Sequence, residues 1–440
     1  MSAQSALEVN TLKNVPLLIN GREVCTDITI PVTSPSSHKL IWHASSASLE
    51  EVKAAVEAAH TAFPAWSRMK AATKRAIFMK AADAVEFRSQ ELGTYMEMEI
   101  GCLPSFSKAM LKSTSELLRD VAGRINTIVG CIPPTVEEDT SAIVVKEPFG
   151  VVLGIAPWNA PYILGLRAIL YPLAGGNTCI LKGSELCPRS WWALGDVLTK
   201  AGLPKGVLNI LVHRTEDAAQ VTKALIESPE VKKINFTGST SVGRIIASQA
   251  GQNLKPVLLE LGGKASAIVL EDANLKDAAL QCVIGAFLHA GQICMSSEKI
   301  LVHKNVKSQF LEVLKATTEA IFGPQTGPPL VAVAPTAIER ARQLIDEAVL
   351  KGASLIYGDN NKTELHPETG KLSATRIRPI IVEGVTRSMN LYFTETFSPS
   401  VSVIEISSDE EAIAIANDTD YGLTASVFTR DLFRGLRIAN

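Results

Sequence analysis

A single cysteine, Cys294, lies in a stretch whose residue types suit nucleophilic chemistry. The stretch reads Gly291-Gln292-Ile293-Cys294-Met295-Ser296 and follows an apolar run of helical character. A thiolate is a strong nucleophile, and backbone amides or a helix end beside it stabilise its charge. Taken alone, a cysteine next to apolar residues is more often a small buried hydrophobe. The case for catalysis therefore depends on what else the chain carries.

One carboxylate, Glu260, ends an apolar run and precedes Gly262-Gly263-Lys264. Apolar surroundings disfavour the charged form, so we expect a pKa raised toward the working range of a general base. An ion pair between Glu260 and a nearby lysine explains the residue equally well. The Gly-Gly-Lys sequence is not a P-loop, because it lacks the upstream glycine and the Ser/Thr after the lysine.

Two loops offer further polar groups. Residues 236–243 contain Gly238, Ser239 and Gly243 between a predicted strand and helix, where small residues let the backbone approach a phosphate at a helix N-terminus. This is not the G-x-G-x-x-G pattern, and an ordinary turn capped by Ser239 or Thr240 fits it as well. Residues 155–161 hold Asn159 between two prolines, so its amide can donate to a developing oxyanion, although a purely structural turn is the simpler explanation.

Alternating strands and helices are predicted around these stretches. Between residues 150 and 261 the pattern predicts strands at 151–155, 178–181, 207–211, 233–236 and 257–261, with helices between them. Such alternation indicates a parallel sheet with helices on both faces, and ligands bind at the ends of its strands. A second alternation runs from Ala265 to the end. We therefore expect two α/β domains that share a cleft, with a boundary near Gly262-Gly263.

The first 150 residues show three local patterns. Residues 16–24, with Asn20-Gly21 at their centre, predict a hairpin. Apolar residues at helical spacing predict helices starting after Ser48, at about Ala71 and at about residue 105. Residues 131–148 break the helical pattern, and their β-branched run at 141–148 predicts an exposed strand that needs a partner such as another subunit.

The composition excludes several classes of protein. The 440 residues include 43 Lys+Arg and 45 Asp+Glu, a net charge of -2 without a basic block, which argues against nucleic acid as the main partner. The seven cysteines are scattered and form no zinc-ligand pattern, as in reduced intracellular proteins. No apolar leader opens the chain and no run is long enough to span a membrane, so we expect a cytoplasmic protein.

The four chemical stretches together resemble the aldehyde dehydrogenase superfamily. That family has a P-W-N loop, a G-S-T-x-x-G turn, an E-L-G-G-K strand end and a G-Q-x-C nucleophile in this order. Glu260 and Cys294 lie 34 residues apart, similar to the family spacing. Residues 181–185, 395–399 and 421–428 match further, so the resemblance runs from about Leu17 to Asn440. The sequences around Cys294 and Tyr392 are most similar to those of the salicylaldehyde and vanillin dehydrogenase branch.

The resemblance implies a fold and a reaction. The fold is α/β, with two doubly wound parallel-sheet domains and a protruding oligomerisation strand. Residues 1–130 and 149–262 would form the NAD-binding domain, 131–148 the oligomerisation segment and 263–440 the catalytic domain. Cys294 would attack an aromatic or otherwise apolar aldehyde, with the oxyanion held by the Asn159 amide and the Cys294 N–H. After hydride transfer, Glu260 would activate the water that hydrolyses the thioester.

The resemblance also implies a cofactor and an assembly. Lys182 and Glu185 match the positions that hold the adenine ribose, where a carboxylate repels a 2′-phosphate, so NAD is favoured over NADP. Gly238, Ser239 and Gly243 would contact the pyrophosphate, and Trp158 would line the cofactor cleft. Glu395 and Phe397 would position the nicotinamide ribose and ring, and Leu261 would make a further cofactor contact. No metal is implied, and the partners are a small aldehyde and further copies of the chain in a homodimer or homotetramer.

Three departures from the family pattern affect these expectations. Gly183 stands where many members have proline, which we expect to loosen the turn, and Ser398 replaces a glycine, which we expect to strain the loop if that site needs a positive φ. Family chains continue for a few dozen residues beyond the position of Asn440. A shortened member that binds NAD or partners without turnover is therefore an alternative. The acylating, coenzyme A-dependent branch usually lacks the glutamate present here as Glu260.

Overall fold

The chain folds as two compact units. The computed structural model describes residues 14–327, 329–361, 364–366, 369–370 and 372–440. Unit 1 comprises Met1–Ser34 and His38–Glu260, and unit 2 comprises Pro35–Ser37 and Leu261–Asn440. Residues 1–13 lie outside the described residues. They make up most of the N-terminal stretch in which we expect no leader. Within the described residues, no helix has both the length and the apolar character that crossing a membrane requires.

Unit 1 contains strands and helices in its described part with the following bounds. The strands are β1 (Asn14–Val15), β2 (Leu17–Ile19), β3 (Arg22–Val24), β4 (Thr29–Thr33), β5 (Leu40–Ser45), β6 (Val151–Ile155), β7 (Thr178–Lys182), β8 (Leu208–Leu211), β9 (Val231–Thr237) and β10 (Val257–Glu260). The helices are α1 (Leu49–Ser67), α2 (Ala71–Phe87), α3 (Ser89–Ile100), α4 (Pro104–Arg124), α5 (Pro161–Ala174), α6 (Pro188–Lys200), α7 (Ala218–Glu227) and α8 (Thr240–Gln252).

The main sheet of unit 1 has the strand order β10-β9-β6-β7-β8-β2-β3. Strands β6 to β10 run parallel, and the β2–β3 hairpin adds antiparallel to β8. The chain leaves β6 toward β7 on one side and later returns to β9 on the other, which makes the carboxyl end of β6 a topological switch point. The loops after β6, β7 and β9 therefore meet at one edge of the sheet.

The predicted elements of unit 1 are largely confirmed. The hairpin forms as expected, with Asn20 and Gly21 both at positive φ as a tight two-residue turn requires. Ser48 caps α1 in a capping box with Glu51. The small sheet β1-β5-β4 was not predicted, because Pro31 within β4 is atypical of a strand.

Residues 141–148 form no regular strand within the single chain, so the exposed strand that needs a partner such as another subunit stays a prediction. Residues 128–149, here called the exposed segment, contain only one isolated bridge, between Cys131 and Val144. A β-branched run favours extended backbone but forms a strand only when a partner supplies the hydrogen bonds. The segment instead exposes a series of apolar side chains: Ile128, Val129, Ile132, Val136, Ile143, Val144, Val145 and Phe149.

Unit 2 is built around a second, mostly parallel sheet. The strands of unit 2 are β11 (Ala265–Val269), β12 (Ser297–His303), β13 (Leu330–Val331), β14 (Ser354–Tyr357), β15 (Arg376–Ile377), β16 (Ile380–Glu383), β17 (Ser400–Ile406) and β18 (Ala425–Phe428). Strands β13 and β15 pair with each other in a separate two-stranded sheet. Its helices are α9 (Leu275–Phe287), α10 (Lys307–Phe322), α11 (Pro335–Leu350), α12 (Asn390–Phe393), α13 (Asp409–Asn417) and α14 (Leu432–Ala439).

The main sheet of unit 2 has the strand order β14-β16-β17-β12-β11-β18. This order brings together three segments that carry candidate site residues. Strands β11, β12 and β17 are adjacent and parallel. Gly262-Gly263-Lys264 precedes β11, Cys294 precedes β12 and residues 394–399 precede β17. These segments therefore lie at the amino ends of neighbouring strands, whereas the loops of unit 1 lie at carboxyl ends.

A buried carboxylate, Glu99 of α3, organises the start of α6 in unit 1. It accepts hydrogen bonds from Trp42 Nε1 (3.1 Å), Arg189 N (2.7 Å), Ser190 N (2.9 Å) and Ser190 Oγ (2.6 Å). The two backbone donors are first-turn amides of α6, which have no partner within the helix. Burial nevertheless raises the pKa of Glu99 to about 7. Glu99 thus fixes the helix that follows the Lys182–Glu185 turn.

The raised pKa of Glu99 predicts a pH-dependent loss of stability. Because the folded-state pKa lies above the ordinary value of 4.5, its contribution is complete below about pH 4.5 and is lost as pH rises through about 7. Relative to Glu99→Gln, the wild-type free energy of unfolding should fall over this interval by about 3 kcal/mol. Urea unfolding of both proteins across this range measures the difference. Parallel pH profiles would contradict it, and Glu57→Gln, an exposed glutamate on α1, is the control.

Candidate active site

The P-W-N loop connects β6 to α5 in unit 1. All residues of β6 are buried, and Pro161 occupies the first turn of α5, where its missing N–H costs nothing. Asn159 is buried and Trp158 is half-buried, two and three residues before that helix. The Trp158 carbonyl accepts a weak bond from the Cys187 thiol at 4.0 Å. The loop therefore holds an amide side chain at the switch point of the sheet.

The turn after β7 carries Lys182 and Glu185. Burial lowers the pKa of the Lys182 ammonium, while the nearby Glu185 carboxylate acts in the opposite direction. Glu185 accepts hydrogen bonds from the hydroxyls of Ser184 and Thr215, each at 3.2 Å. A cation and an anchored carboxylate thus lie together at the edge of the sheet, where they could bind vicinal hydroxyls.

Gly183 tightens this turn, so the expectation of a loosened turn is wrong. Its N–H donates to the Leu211 carbonyl at 2.9 Å, a bond that proline cannot make. A Cβ at this position would overlap the indole of Trp191. Trp191 in turn donates through Nε1 to the Ser184 carbonyl at 2.9 Å. The glycine is needed because the tryptophan closes over the turn.

Gly183→Ala should therefore displace Trp191 and disturb the turn that holds Lys182 and Glu185. We expect a loss of about 1–3 kcal/mol in the free energy of unfolding from overpacking. Chemical denaturation measures this effect. Gly123→Ala is the matched control, because nothing lies within 4 Å of a Cβ built there. Unchanged stability in Gly183→Ala would refute the role of the glycine.

The turn between β9 and α8 carries Gly238, Ser239 and Gly243. Ser239 is the N-cap of α8, and its hydroxyl accepts from Val242 N at 3.4 Å. Gly238 N donates to the Glu260 carbonyl at 3.0 Å, which joins this turn to the end of β10. The capped turn and the phosphate site are compatible, because the helix N-terminus keeps its partial positive charge and Ser239 is exposed there.

Glu260 ends β10, the edge strand of the unit 1 sheet, and its side chain is exposed. Leu258 is exposed as well, because alternate residues of this edge strand face outward. The expectation that apolar neighbours bury the carboxylate is therefore wrong. An exposed carboxylate at a strand end remains accessible to water.

Cys294 lies in a turn between α9 and β12 in unit 2. His289, Ala290 and Gly291 all adopt positive φ, so the chain reverses sharply after α9. Gly291 is required there, since a Cβ would overlap the Ser398 carbonyl. The cysteine is half-buried and follows the C-terminal, electronegative end of α9, so α9 does not provide the expected stabilising helix end.

Gln292 fixes this turn from within. Its buried amide donates to the carbonyls of His289 and Val331, each at 3.0 Å, and accepts from Val333 N at 2.9 Å. The G-Q-x-C motif thus has a structural explanation for its glutamine: the side chain ties the cysteine turn to β13.

The segment that precedes β17 carries Glu395 and Phe397. Glu395 accepts a hydrogen bond from Gly263 N at 3.0 Å, and burial raises its pKa to about 7. The residue with positive φ is Phe397, at 51°. The expectation that Ser398 strains the loop is therefore wrong. Its hydroxyl instead pairs with that of Ser400 at 3.1 Å.

Sequence reasoning missed a buried ion pair at this position. Lys264 Nζ lies 2.6 Å from Glu298 Oε2, and their side chains are 0% and 5% exposed. A charged residue within a buried strand, as Glu298 is in β12, is the signal that a partner must exist. The E-L-G-G-K motif supplies that partner.

The chain matches a known family over nearly all of its length. The model of the aldehyde dehydrogenase family matches residues 24–440. This chain belongs to the aldehyde dehydrogenase family. The resemblance drawn from the four motifs is thereby confirmed, as is the α/β fold with mostly parallel sheets. The chain is accordingly an enzyme of the aldehyde dehydrogenase type, and aldehyde oxidation is its reaction class.

Individual proteins resemble the chain over most of its length. Vanillin dehydrogenase of Pseudomonas fluorescens is 39% identical over 434 residues, 97% of this chain and 87% of that protein. The crystal structure of salicylaldehyde dehydrogenase from Pseudomonas putida G7, complexed with salicylaldehyde, is similar with a TM-score of 0.91 at 34% identity, covering 97% of this chain and 87% of that one. PnpE in complex with nicotinamide adenine dinucleotide gives a TM-score of 0.90 at 34% identity, with the same coverage.

Proposed function

We propose that the chain oxidises an aromatic or otherwise apolar aldehyde to the carboxylic acid with NAD as the hydride acceptor. The observation that carries this proposal is the 39% identity, over nearly the whole chain, to a protein named vanillin dehydrogenase. The salicylaldehyde dehydrogenase likeness supports the same substrate class. Cys294, Glu260 and Asn159 are present at the matching motif positions.

In the proposed mechanism the Cys294 thiol loses its proton to solvent water, and its sulfur bonds to the aldehyde carbon while the carbonyl π electrons move to the oxygen. The Asn159 amide and the Cys294 N–H donate to the oxyanion that forms. NAD, which Glu395 and Phe397 would hold at its nicotinamide end, would supply the acceptor for the hydride that leaves this carbon, and a thioester on Cys294 would remain. Glu260 takes a proton from water, which attacks the thioester carbonyl; the acid departs and the thiol is restored. The exposure of Glu260 suits a group that must meet water.

The residues of unit 1 fit a dinucleotide. The N-terminus of α8, with Gly238 and the exposed cap Ser239, has the chemistry to receive the pyrophosphate. Lys182 and Glu185 would hold the adenine ribose, and the Glu185 carboxylate disfavours a 2′-phosphate. Gly243, Trp158 and Leu261 would complete the cofactor contacts, and Glu395 and Phe397 would hold the nicotinamide ribose and ring. Residues 1–130 and 149–262 would then form the NAD domain, and 263–440 the catalytic domain.

The test is formation of reduced cofactor with a panel of benzaldehyde-like and aliphatic aldehydes, each with NAD and with NADP. The proposal expects turnover with NAD and a higher kcat/KM for aromatic aldehydes. Better turnover with NADP would refute the cofactor assignment, and a preference for short aliphatic aldehydes would refute the substrate class. NAD binding without turnover of any aldehyde would instead support the binding-only alternative.

A homodimer or homotetramer is proposed as well. The apolar side chains of the exposed segment, such as Ile132, Val136 and Ile143, support it because such residues are usually covered by a partner. Size-exclusion chromatography with light scattering measures the mass, and a monomer at micromolar concentration would contradict this assembly.

A further inference from the structure

The buried pair of Lys264 and Glu298 joins three segments of unit 2. Lys264 directly follows Gly263, whose N–H holds the Glu395 carboxylate. Glu298 follows Cys294 by four residues at the start of β12. A Cβ on Gly263 would lie 2.6 Å from the Cys294 carbonyl oxygen. The segment of Gly263 and Lys264 therefore contacts the segment from Cys294 to Glu298 through the backbone. The third segment, residues 394–397, donates hydrogen bonds to Glu298 and accepts one from Lys264.

Besides its ion pair with Lys264, Glu298 accepts hydrogen bonds from residues 396 and 397 of the third segment. Its Oε1 accepts from Thr396 N at 2.8 Å, Thr396 Oγ1 at 2.9 Å and Phe397 N at 3.3 Å. Lys264 Nζ donates to the Thr394 carbonyl at 2.8 Å. One carboxylate and one ammonium thus bind the backbone on both sides of Glu395.

These contacts act where the backbone is strained. Phe397 has a φ of 51°, a left-handed backbone conformation that residues other than glycine rarely adopt. Such a conformation persists only when its surroundings hold it. Glu298 holds the amides of Thr396 and Phe397, and Ser400 adds a hydroxyl bond to Thr396 Oγ1 at 3.1 Å. The Ser398 hydroxyl, which departs from the family pattern, pairs with the Ser400 hydroxyl and so belongs to this same network.

We propose that Glu298, paired with Lys264, is a positioning residue that fixes residues 394–397 so that Glu395 and Phe397 orient the nicotinamide end of NAD. This inference rests on the proposed function. A precise hydride transfer depends on the geometry of the acceptor, and small displacements of the groups that hold it lower the rate. Attack by Cys294 on an activated ester needs no nicotinamide and does not depend on this orientation.

The test variant is Glu298→Gln, which keeps the shape but removes the charge that holds Lys264. We expect kcat for aldehyde oxidation to fall by about 10–100-fold and the isotope effect with aldehyde deuterated at the formyl carbon to rise. Hydrolysis of p-nitrophenyl acetate by Cys294 should change by less than about twofold. Thr396→Val should give a smaller effect in the same direction, and Thr396→Ser should restore activity.

The matched control is Glu383→Gln, which breaks a partly exposed ion pair with Lys307 in the same unit. It should leave every readout unchanged. If Glu298→Gln lowers oxidation and ester hydrolysis in parallel without a rise in the isotope effect, the role is general stability and the inference fails. Wild-type oxidation rates in Glu298→Gln would refute it too.

Hydrogen exchange separates this inference from the proposed function. In Glu298→Gln the amides of Thr396 and Phe397 should exchange at least about 10-fold faster, because their acceptor is weakened. Peptide-resolved mass spectrometry measures this whether or not the protein turns over aldehydes. Unchanged exchange would refute positioning by Glu298, whereas wild type that oxidises no aldehyde would refute the proposed function alone.

Discussion

Replacement of Cys294 by alanine should abolish aldehyde-dependent formation of NADH, with a fall in kcat/KM of at least about 1000-fold. The thiol forms the only covalent bond to the substrate in the proposed mechanism, and alanine leaves no atom to replace it. NAD affinity and the denaturation midpoint should remain close to wild type, because the half-buried side chain contributes little to the core. Steady-state assays and NAD titration measure these quantities.

Cys25→Ala is the control for that experiment, since this cysteine is free and exposed in unit 1. It should keep the wild-type rate. Residual NADH formation in Cys294→Ala above about one-tenth of wild type would contradict a nucleophilic role. Loss of NAD binding in the variant would show that the substitution acts on the fold.

The second large effect is expected for Glu260→Gln. Without a base to activate water, the thioester should persist, so steady-state turnover should fall by about 100–10,000-fold. The first hydride transfer does not need this carboxylate, so rapid mixing should show a burst of NADH close to one equivalent per site. A strong external nucleophile such as hydroxylamine should restore part of the turnover.

Glu227→Gln, on α7 and half-exposed in an ion pair with Lys223, is the control for this substitution. It should have wild-type kinetics. If Glu260→Gln lost the burst together with the steady-state rate, Glu260 would act before hydride transfer, and its assignment as the base for hydrolysis would be wrong.

The sequence predicted motifs and their places on strands well. The turns after β6, β7 and β9 carry the expected residues, because strand-helix alternation and small-residue turns are local signals. The prediction that Glu260 is buried was wrong for a nonlocal reason. Strand β10 lies at the edge of its sheet, and apolar neighbours in the sequence do not determine which position in the sheet a strand occupies.

Other features depend on contacts between distant residues. The need for Gly183 comes from Trp191 closing over it, and the conformation of residues 394–397 comes from Glu298. Residues 141–148 have strand-forming composition but lack a neighbouring strand in the described chain beyond the Cys131 bridge. Residue types thus predict the groups that are proposed to react, whereas the residues that position these groups became visible only in the fold.

The most direct test of the proposed chemistry is the mass of Glu260→Gln after mixing with NAD and a benzaldehyde-like substrate and quenching in acid. The proposed mechanism predicts an acyl group of the corresponding acid on the peptide that contains Cys294, formed in proportion to the burst of NADH. NADH formation without an acyl group on Cys294, or an acyl group on another residue, would contradict it.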